Sequence, residues 1–278
     1  MARRRSRLLA FVRQEQGHFA EAGELAVGAL ADEPAAGHAA HALTHVFYET
    51  GRHAEGLRWL DDWLRDNRRT TFQPSHYSWH AALHELALGD EDAVRRRYAR
   101  ELSLASVQGV RALVDSASLL WRARIDDAWL GAVPIDEVLS VVDEQLLVRS
   151  PTPFVAMHAA VALAARGDAV GLRQLGRRAA LDPRRAYREL VVPLAAAMAA
   201  LVDQRPDRAA QILLRLMPEV EGFGGSKAQR EVIELTLIHA LMEAGNSRAA
   251  QQLIQHALDR PTQISRLPAQ RSRRAAAG

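Results

Sequence analysis

The sequence predicts an all-α protein, a right-handed superhelical solenoid of six to seven stacked helical hairpins, and three observations carry that expectation. Hydrophobic residues make up 48% of the 278 and are dominated by Ala and Leu, whereas aromatics reach only 5%. Ala and Leu are the strongest helix formers and supply no β-branched alternation. Gly and Pro are spread as isolated punctuation. Finally, Gly17 and Gly51 stand 34 residues apart with a shared apolar register behind them, a period at which helix–turn–helix units stack. Such a chain exceeds one ordinary core, and an elongated array accommodates the excess.

The first element is read from Gly17. It is followed by Phe19, Ala22, Ala26, Ala29, Leu30 and Pro34, small or apolar residues at +2, +5, +9, +12 and +13 and then a breaker. That is the register of the second helix of a tetratricopeptide repeat. Gly51 repeats it with Gly56, Leu60, Trp63 and Leu64, Gly89 with Val94, Tyr98 and Leu102, and Gly167 with Ala169, Leu172 and Ala179. Gly245 closes the series with Ala250, Ile254, Ala257, Leu258 and Pro261. Two degenerate turns are expected near Gly131-Ala132 and Arg205-Pro206. A small residue at +5 lets the two helices of a hairpin approach, and the larger ones fill the gap to the next hairpin.

Other punctuation agrees. Asp32-Glu33-Pro34, Ser150-Pro151-Thr152-Pro153 and Leu181-Asp182-Pro183 mark helix ends, because the residue before proline disfavours the α region. The uncharged run Leu190 to Val202, interrupted by Pro193, is too short for a bilayer and reads as a buried helix. Gly222-Phe223-Gly224-Gly225-Ser226 precedes a helix over Lys227 to Ala244, with Ser226 as N-cap and Gln229 completing a capping box. The repeat domain is expected over residues 1–261 and a flexible basic tail over 262–278.

Charge and composition exclude several function classes. Arg3, Arg4, Arg5, Arg7, Arg266, Arg271, Arg273 and Arg274 lie at the two ends, and taking these eight from a formal net charge of +3 leaves −5 for the body. No specific nucleic-acid surface is expected, since affinity for phosphate backbones needs clustered cations on the fold itself. The apolar segment Leu8 to Val12 stops at Arg13, so neither a secretory signal nor a membrane partner is expected. Cysteine is absent, which excludes disulfides, Cys-ligated zinc, iron–sulfur clusters and thiol catalysis, and fits a cytoplasmic protein.

Several ordered motifs resemble one family, the proteins similar to tetratricopeptide repeat protein 38. They are His41-x-x-x-His45; His76-x-x-Trp79-His80-x-Ala82-Leu83 ahead of Leu88-Gly89-Asp90; Val114-Asp115-Ser116 with Ser118 and Leu120; and Gly224-Gly225-Ser226-x-Ala228-Gln229-Arg230 leading to Leu237-Ile238-His239-Ala240. The resemblance runs from about residue 8 to 260. It implies a cytosolic α-solenoid of divergent repeats and carries over no catalytic or binding residue. Family members have additional N-terminal helices, so the chain resembles the family without its N-terminal part.

Histidines dominate the candidate chemistry. In a tetratricopeptide hairpin the position six residues before the turn glycine faces the concave groove, which selects His45 and His239. His41 shares the face of His45, Tyr48 follows three residues on, and His76 and His80 take the corresponding face of the next first helix. His158 matches His80 in register. His38 and His84 fall toward the edges. Asp115 lies mid-helix among apolar residues and needs a partner, for which a structural salt bridge to Arg111 or Arg122, or a groove histidine, is expected. Gln229 and Arg230 open a helix after a glycine-rich loop, an arrangement suited to capping or to an anion. The groove candidates are therefore His41, His45, Tyr48, His76, His80, Asp115, His158, Gln229, Arg230 and His239. The five tryptophans, Trp59, Trp63, Trp79, Trp121 and Trp129, read as core between hairpins.

Three functions follow from this wall. A binding scaffold would hold a peptide segment or small polar ligand in the groove, since neutral imidazole offers a donor and an acceptor together. An enzyme or metal-binding protein would use the same rings as acid–base groups or ligands, because His41/His45 and His76/His80 are i, i+4 pairs able to chelate from one helix face. A structural subunit would bury them. His84-Glu85-Leu86-Ala87-Leu88 lacks the second histidine of H-E-x-x-H, and no P-loop, nucleophile elbow or dinucleotide fingerprint occurs. No catalytic residue, metal ligand or cofactor is assigned, and no oligomeric state follows from the pattern. The scaffold is the preferred expectation.

Overall fold

The computed structural model describes residues 2–68 and 71–259, with side chains from 8 to 256. The described residues are helical throughout, with short turns and no strand, which establishes the all-α class. The expected tail at 262–278 and its arginines lie outside the described residues. Among those described, no helix is long and apolar enough to cross a membrane. The chain divides into two compact units, one formed up to Arg97 and one by Tyr98–Ile254.

The first unit runs α1 (Ala2–Glu15), α2 (Phe19–Asp32), α3 (Gly37–Glu49), α4 (His53–Asn67), α5 (Pro74–Leu88) and α6 (Glu91–Arg97). Gly17, Gly51 and Gly89 separate successive pairs, and all three adopt the left-handed conformation, with φ of 81°, 70° and 72°. Each closes its helix with a paired bond pattern: at Gly89, its own N–H donates to Leu86 O at 3.0 Å and Asp90 N–H donates to Glu85 O at 3.0 Å. Glycine is selected there because a Cβ clashes with the carbonyl in that region. Within the unit α3 packs on α1, α2, α4 and α5. Enclosed this way, α3 and α5 are buried nearly all round: α3 buries ten of its residues and α5 ten.

The +5 expectation is realised most tightly at Gly56 of α4. A Cβ there would stand 2.6 Å from Phe47 Cβ and 2.8 Å from His84 Cε1, so only glycine lets α4 lie this close to α3 and α5. The apolar filling consists of Leu60, Trp63, Leu64, Tyr77, Ala40 and Ala81. Polar pins hold the register of α3. Trp63 Nε1–H donates to Pro34 O at 2.8 Å and Tyr77 O–H donates to Gly37 O at 2.8 Å. Arg97 ties α6 back to the half-exposed Asp61 at 2.9 Å and the buried Glu85 at 2.7 Å.

The second unit opens with a π-helical turn, Tyr98–Leu102. One continuous helical stretch follows: α7 (Gly109–Arg111), a π turn over Ala112–Ala117, and α8 (Ser118–Ile125). Short α9 (Ile135–Ser140) and α10 (Glu144–Val148) precede α11 (Pro153–Arg166) and α12 (Ala169–Ala180). A π turn, Tyr187–Val191, leads into α13 (Val192–Val202), then come α14 (Pro206–Leu216), a 3₁₀ stretch Met217–Phe223, α15 (Lys227–Glu243) and α16 (Ser247–Asp259). Pro193 sits in the first turn of α13 directly after the π turn, where its missing N–H costs least. Gly167 and Gly245 are again left-handed.

The two degenerate turns are made by other residues. The turn expected near Gly131 lies earlier, at Asp127 (φ 52°), where Ala128 N–H donates to Ala123 O at 2.7 Å. That near Arg205 is formed by Gln204 (φ 56°), with Arg205 N–H donating to Ala200 O at 2.8 Å. The local bond pattern therefore persists where glycine is missing. Ser226 and Gln229 form the expected capping box on α15. Gly225 is required beside it, since a Cβ there would fall 2.3 Å from Phe154 Cε2.

Candidate functional site

Two i, i+4 pairs on adjacent helices build the site. On α3, His41 and His45 are one turn apart, and on α5, His76 and His80 are likewise one turn apart, so each helix projects two rings from one face. The four rings meet at their Nε2 edges. His41 Nε2 lies 3.0 Å from His80 Nε2, 3.1 Å from His76 Nε2 and 3.2 Å from His45 Nε2. The His45 and His80 rings also meet edge to face, with centroids 4.5 Å apart. His45 and His80 are sealed, at 0% and 1% exposure, while His41 and His76 are half-buried and give the cluster its solvent-facing side.

Flat neighbours hold the rings. Phe11 of α1 stacks on His41 at 5.4 Å with planes 12° apart, and Trp79 stacks on His76 at 5.4 Å and 9°. Burial dominates the electrostatics. It lowers the His45 pKa to about 3, assisted by the neighbouring His76 charge, and it drives His80 well below the usual imidazole range, assisted by His45 and the other rings around it. Both are therefore neutral at physiological pH and present lone pairs. Nδ1 of each makes no hydrogen bond to the protein.

Beside this cluster lies a second imidazole contact. His53 at the start of α4 and His84 on α5 face each other through Nδ1 atoms 3.1 Å apart. Tyr48 packs edge-on against both, with centroids at 5.4 and 5.7 Å. The placement of His84 at the edge is corrected: its exposure is 0%, because α5 is covered on that side by α4 at Gly56. His53 escaped the sequence reading, although its +2 position after Gly51 falls in the buried register. Burial lowers His53 to about 4 and His84 to about 3, the latter helped by nearby His53.

The remaining candidates lie in the second unit and have local roles. His158 on α11 is fully buried, with Nδ1 bonded to Phe154 O at 2.9 Å and its ring edge-on to Phe154 at 4.6 Å. His239 on α15 is half-buried, and burial lowers its pKa while Glu243 and Asp127 oppose that shift. Asp115, at 0% exposure inside the π turn, pairs with Arg111 at 3.7 Å, one of the partners expected. Arg122 instead bonds to Ser118 Oγ and to Ala228 O. Gln229 is consumed by the capping box, its Oε1 accepting from Ser226 N–H at 2.9 Å, and Arg230 donates to Gly225 O. Capping thus accounts for the start of α15. Trp79, Trp63 and Trp121 are buried and Trp59 and Trp129 half-buried, as core residues would be.

No protein-family model matches the chain. What the first unit presents chemically is a set of convergent ring nitrogens, sealed at His45 and His80 and reachable by solvent through His41 and His76.

Proposed function

We propose that this chain is a cytoplasmic binding protein of tetratricopeptide type, akin to the proteins similar to tetratricopeptide repeat protein 38, and that its first unit holds a small polar ligand or ion at the α3/α5 histidines. The convergence of three Nε2 atoms within 3.2 Å of His41 Nε2 carries this reading. Left-handed turn glycines between paired helices and the buried +5 residues support stacked hairpins of the repeat type. A peptide suits the site less than a small ligand, because a chain lying in a groove needs a continuous open wall and two of the four rings are sealed. The absence of cysteine is compatible with a reducing compartment.

Thermal unfolding of tag-free protein against a panel tests the reading. The panel comprises divalent metal salts, inorganic phosphate, small dicarboxylates and mixed peptides. A ligand present at 100 times its Kd stabilises the folded form by about 2.7 kcal/mol, and that gain should vanish in His41→Gln and His80→Gln. A panel in which no class raises the unfolding temperature, or raises it equally in those variants, removes the proposal.

A further inference from the structure

Protons alone cannot satisfy the four-ring contact. An imidazole nitrogen carries either one in-plane proton or one in-plane lone pair, and so takes part in one linear hydrogen bond. His41 Nε2 faces three other Nε2 atoms at 3.0 to 3.2 Å. At most one of these contacts is a well-aimed hydrogen bond, and the other two are at best off-axis, because a single in-plane proton or lone pair cannot point at three nitrogens at once. Adding protons would put like charges together in a sealed interior, which is costlier still. A cation is the one group that accepts several lone pairs at a single point.

We propose that His41, His45 and His80 bind one divalent first-row transition-metal ion through Nε2, with His76 completing the coordination as a fourth ligand. The proposal rests on the small-ligand reading above and names its ligand. The donor atoms of His41, His45 and His80 all lie within 4.8 Å of one another. In a tetrahedral zinc site with bonds of about 2.0–2.1 Å the nitrogens stand about 3.3–3.4 Å apart, so the His41 contacts need open by only a few tenths of an ångström. An all-imidazole set without carboxylate or thiolate selects zinc, copper(II) or nickel(II) over magnesium and calcium, which take oxygen. Each helix contributes its pair from a single face, and the Phe11 and Trp79 stacks restrain the two solvent-side rings. The Nδ1 atoms of His45 and His80 lack the protein acceptor that usually orients a ligating histidine. The ion is accordingly held by helix packing and is removable by chelators.

The test uses the full chain, tag-free and stripped with a chelator, titrated calorimetrically with zinc sulfate and assayed for metal after desalting, with helix content followed by circular dichroism. One equivalent of zinc is expected for the unaltered protein and for His158→Gln, whose ring lies outside the cluster. His41→Gln and His80→Gln should weaken binding by more than about 100-fold, beyond the 10–100-fold typical of losing an outer-shell partner. His76→Gln should retain one equivalent at lower affinity, and with cobalt(II) as probe it should change the intense visible absorption of a four-nitrogen tetrahedral site. Because His41 is half-buried, its glutamine variant is the one best placed to keep the fold. Uptake below one equivalent by protein of native helix content overturns the metal site, as does equal affinity in the His41 and His80 variants. If phosphate or a dicarboxylate stabilises the protein in a His41-dependent way while zinc does not bind, the metal site falls and the small-ligand reading survives. If neither binds, both fall.

Discussion

The two units bury polar side chains in different ways. In the second unit many buried polar groups bond within the chain: Ser116 Oγ–H donates to Leu102 O at 2.6 Å, Thr236 Oγ1–H to Val232 O at 2.6 Å, Trp121 Nε1–H to Thr236 Oγ1 at 2.9 Å, and Arg122 reaches Ser118 and Ala228, while the buried Tyr98 hydroxyl makes no hydrogen bond. Its α11 is otherwise a run of Val, Ala, Met and Leu around one histidine bonded to its own helix. The first unit instead buries imidazoles against imidazoles, and His45, His80, His53 and His84 each keep a ring nitrogen without a protein partner. Satisfied polar interiors specify one packing, whereas unsatisfied ones cost stability. The difference is one of arrangement: the first unit gathers its unbonded ring nitrogens around α3, α4 and α5, on rings that contact one another.

Acid should open the widest gap between the units. Burial pushes His45, His53 and His84 in the folded protein down to about 3, 4 and 3, from about 6.5 for a free imidazole. Because their folded values are lowered, the unfolded state binds more protons below pH 6.5, and folding stability falls as the pH drops toward 4. Each imidazole costs about 1.4 kcal/mol per pH unit in that window. For metal-free protein moved from pH 6.5 to 4.5 all three act in the same direction, and because His53 and His84 are in contact they titrate as a pair. Hydrogen exchange read peptide by peptide, corrected for its intrinsic pH dependence, should show α3 and α5 losing protection before α11 and α13. Simultaneous loss in both units would erase the distinction.

Substitutions of opposite sign provide the next test. Arg122→Ala removes a buried cation that bonds two acceptors and should destabilise the second unit by about 3–5 kcal/mol. His80→Leu replaces an imidazole lacking a partner at Nδ1 by an apolar group of similar size, and should stabilise the metal-free first unit by about 1 kcal/mol while abolishing metal uptake. Urea titrations of the two variants would decide. A His80→Leu protein less stable than the original would mean that the imidazole contacts are net favourable.

Glycines sharpen the picture at smaller scale. Gly56→Ala forces a methyl against Phe47 and His84 and should cost about 1–3 kcal/mol. Gly28→Ala on the exposed face of α2 meets nothing within 4 Å and should stabilise by about 0.5–1 kcal/mol. An effect of similar size belongs to the cap of α15, where Ser226→Ala should cost about 1 kcal/mol, measured as a shift in denaturation midpoint and leaving zinc uptake unchanged.

Local chemistry was largely legible in the sequence. The helices, their left-handed glycine turns, the prolines at helix starts and ends, the Ser226–Gln229 box and the Arg111–Asp115 pair all depend on residues within about six positions of one another, so spacing alone places them. Even where glycine was missing, at Asp127 and Gln204, the turn formed nearby through the same bonds. Periodicity also named His41, His45, His76 and His80, because it reports which face a side chain occupies. It does not report the distance between faces. That four Nε2 atoms converge, that His84 is sealed and meets the unanticipated His53, and that Gly56 allows it, were decided by how closely α3, α4 and α5 pack. Such packing is set by contacts between residues 30 to 40 positions apart, where no local pattern carries the information.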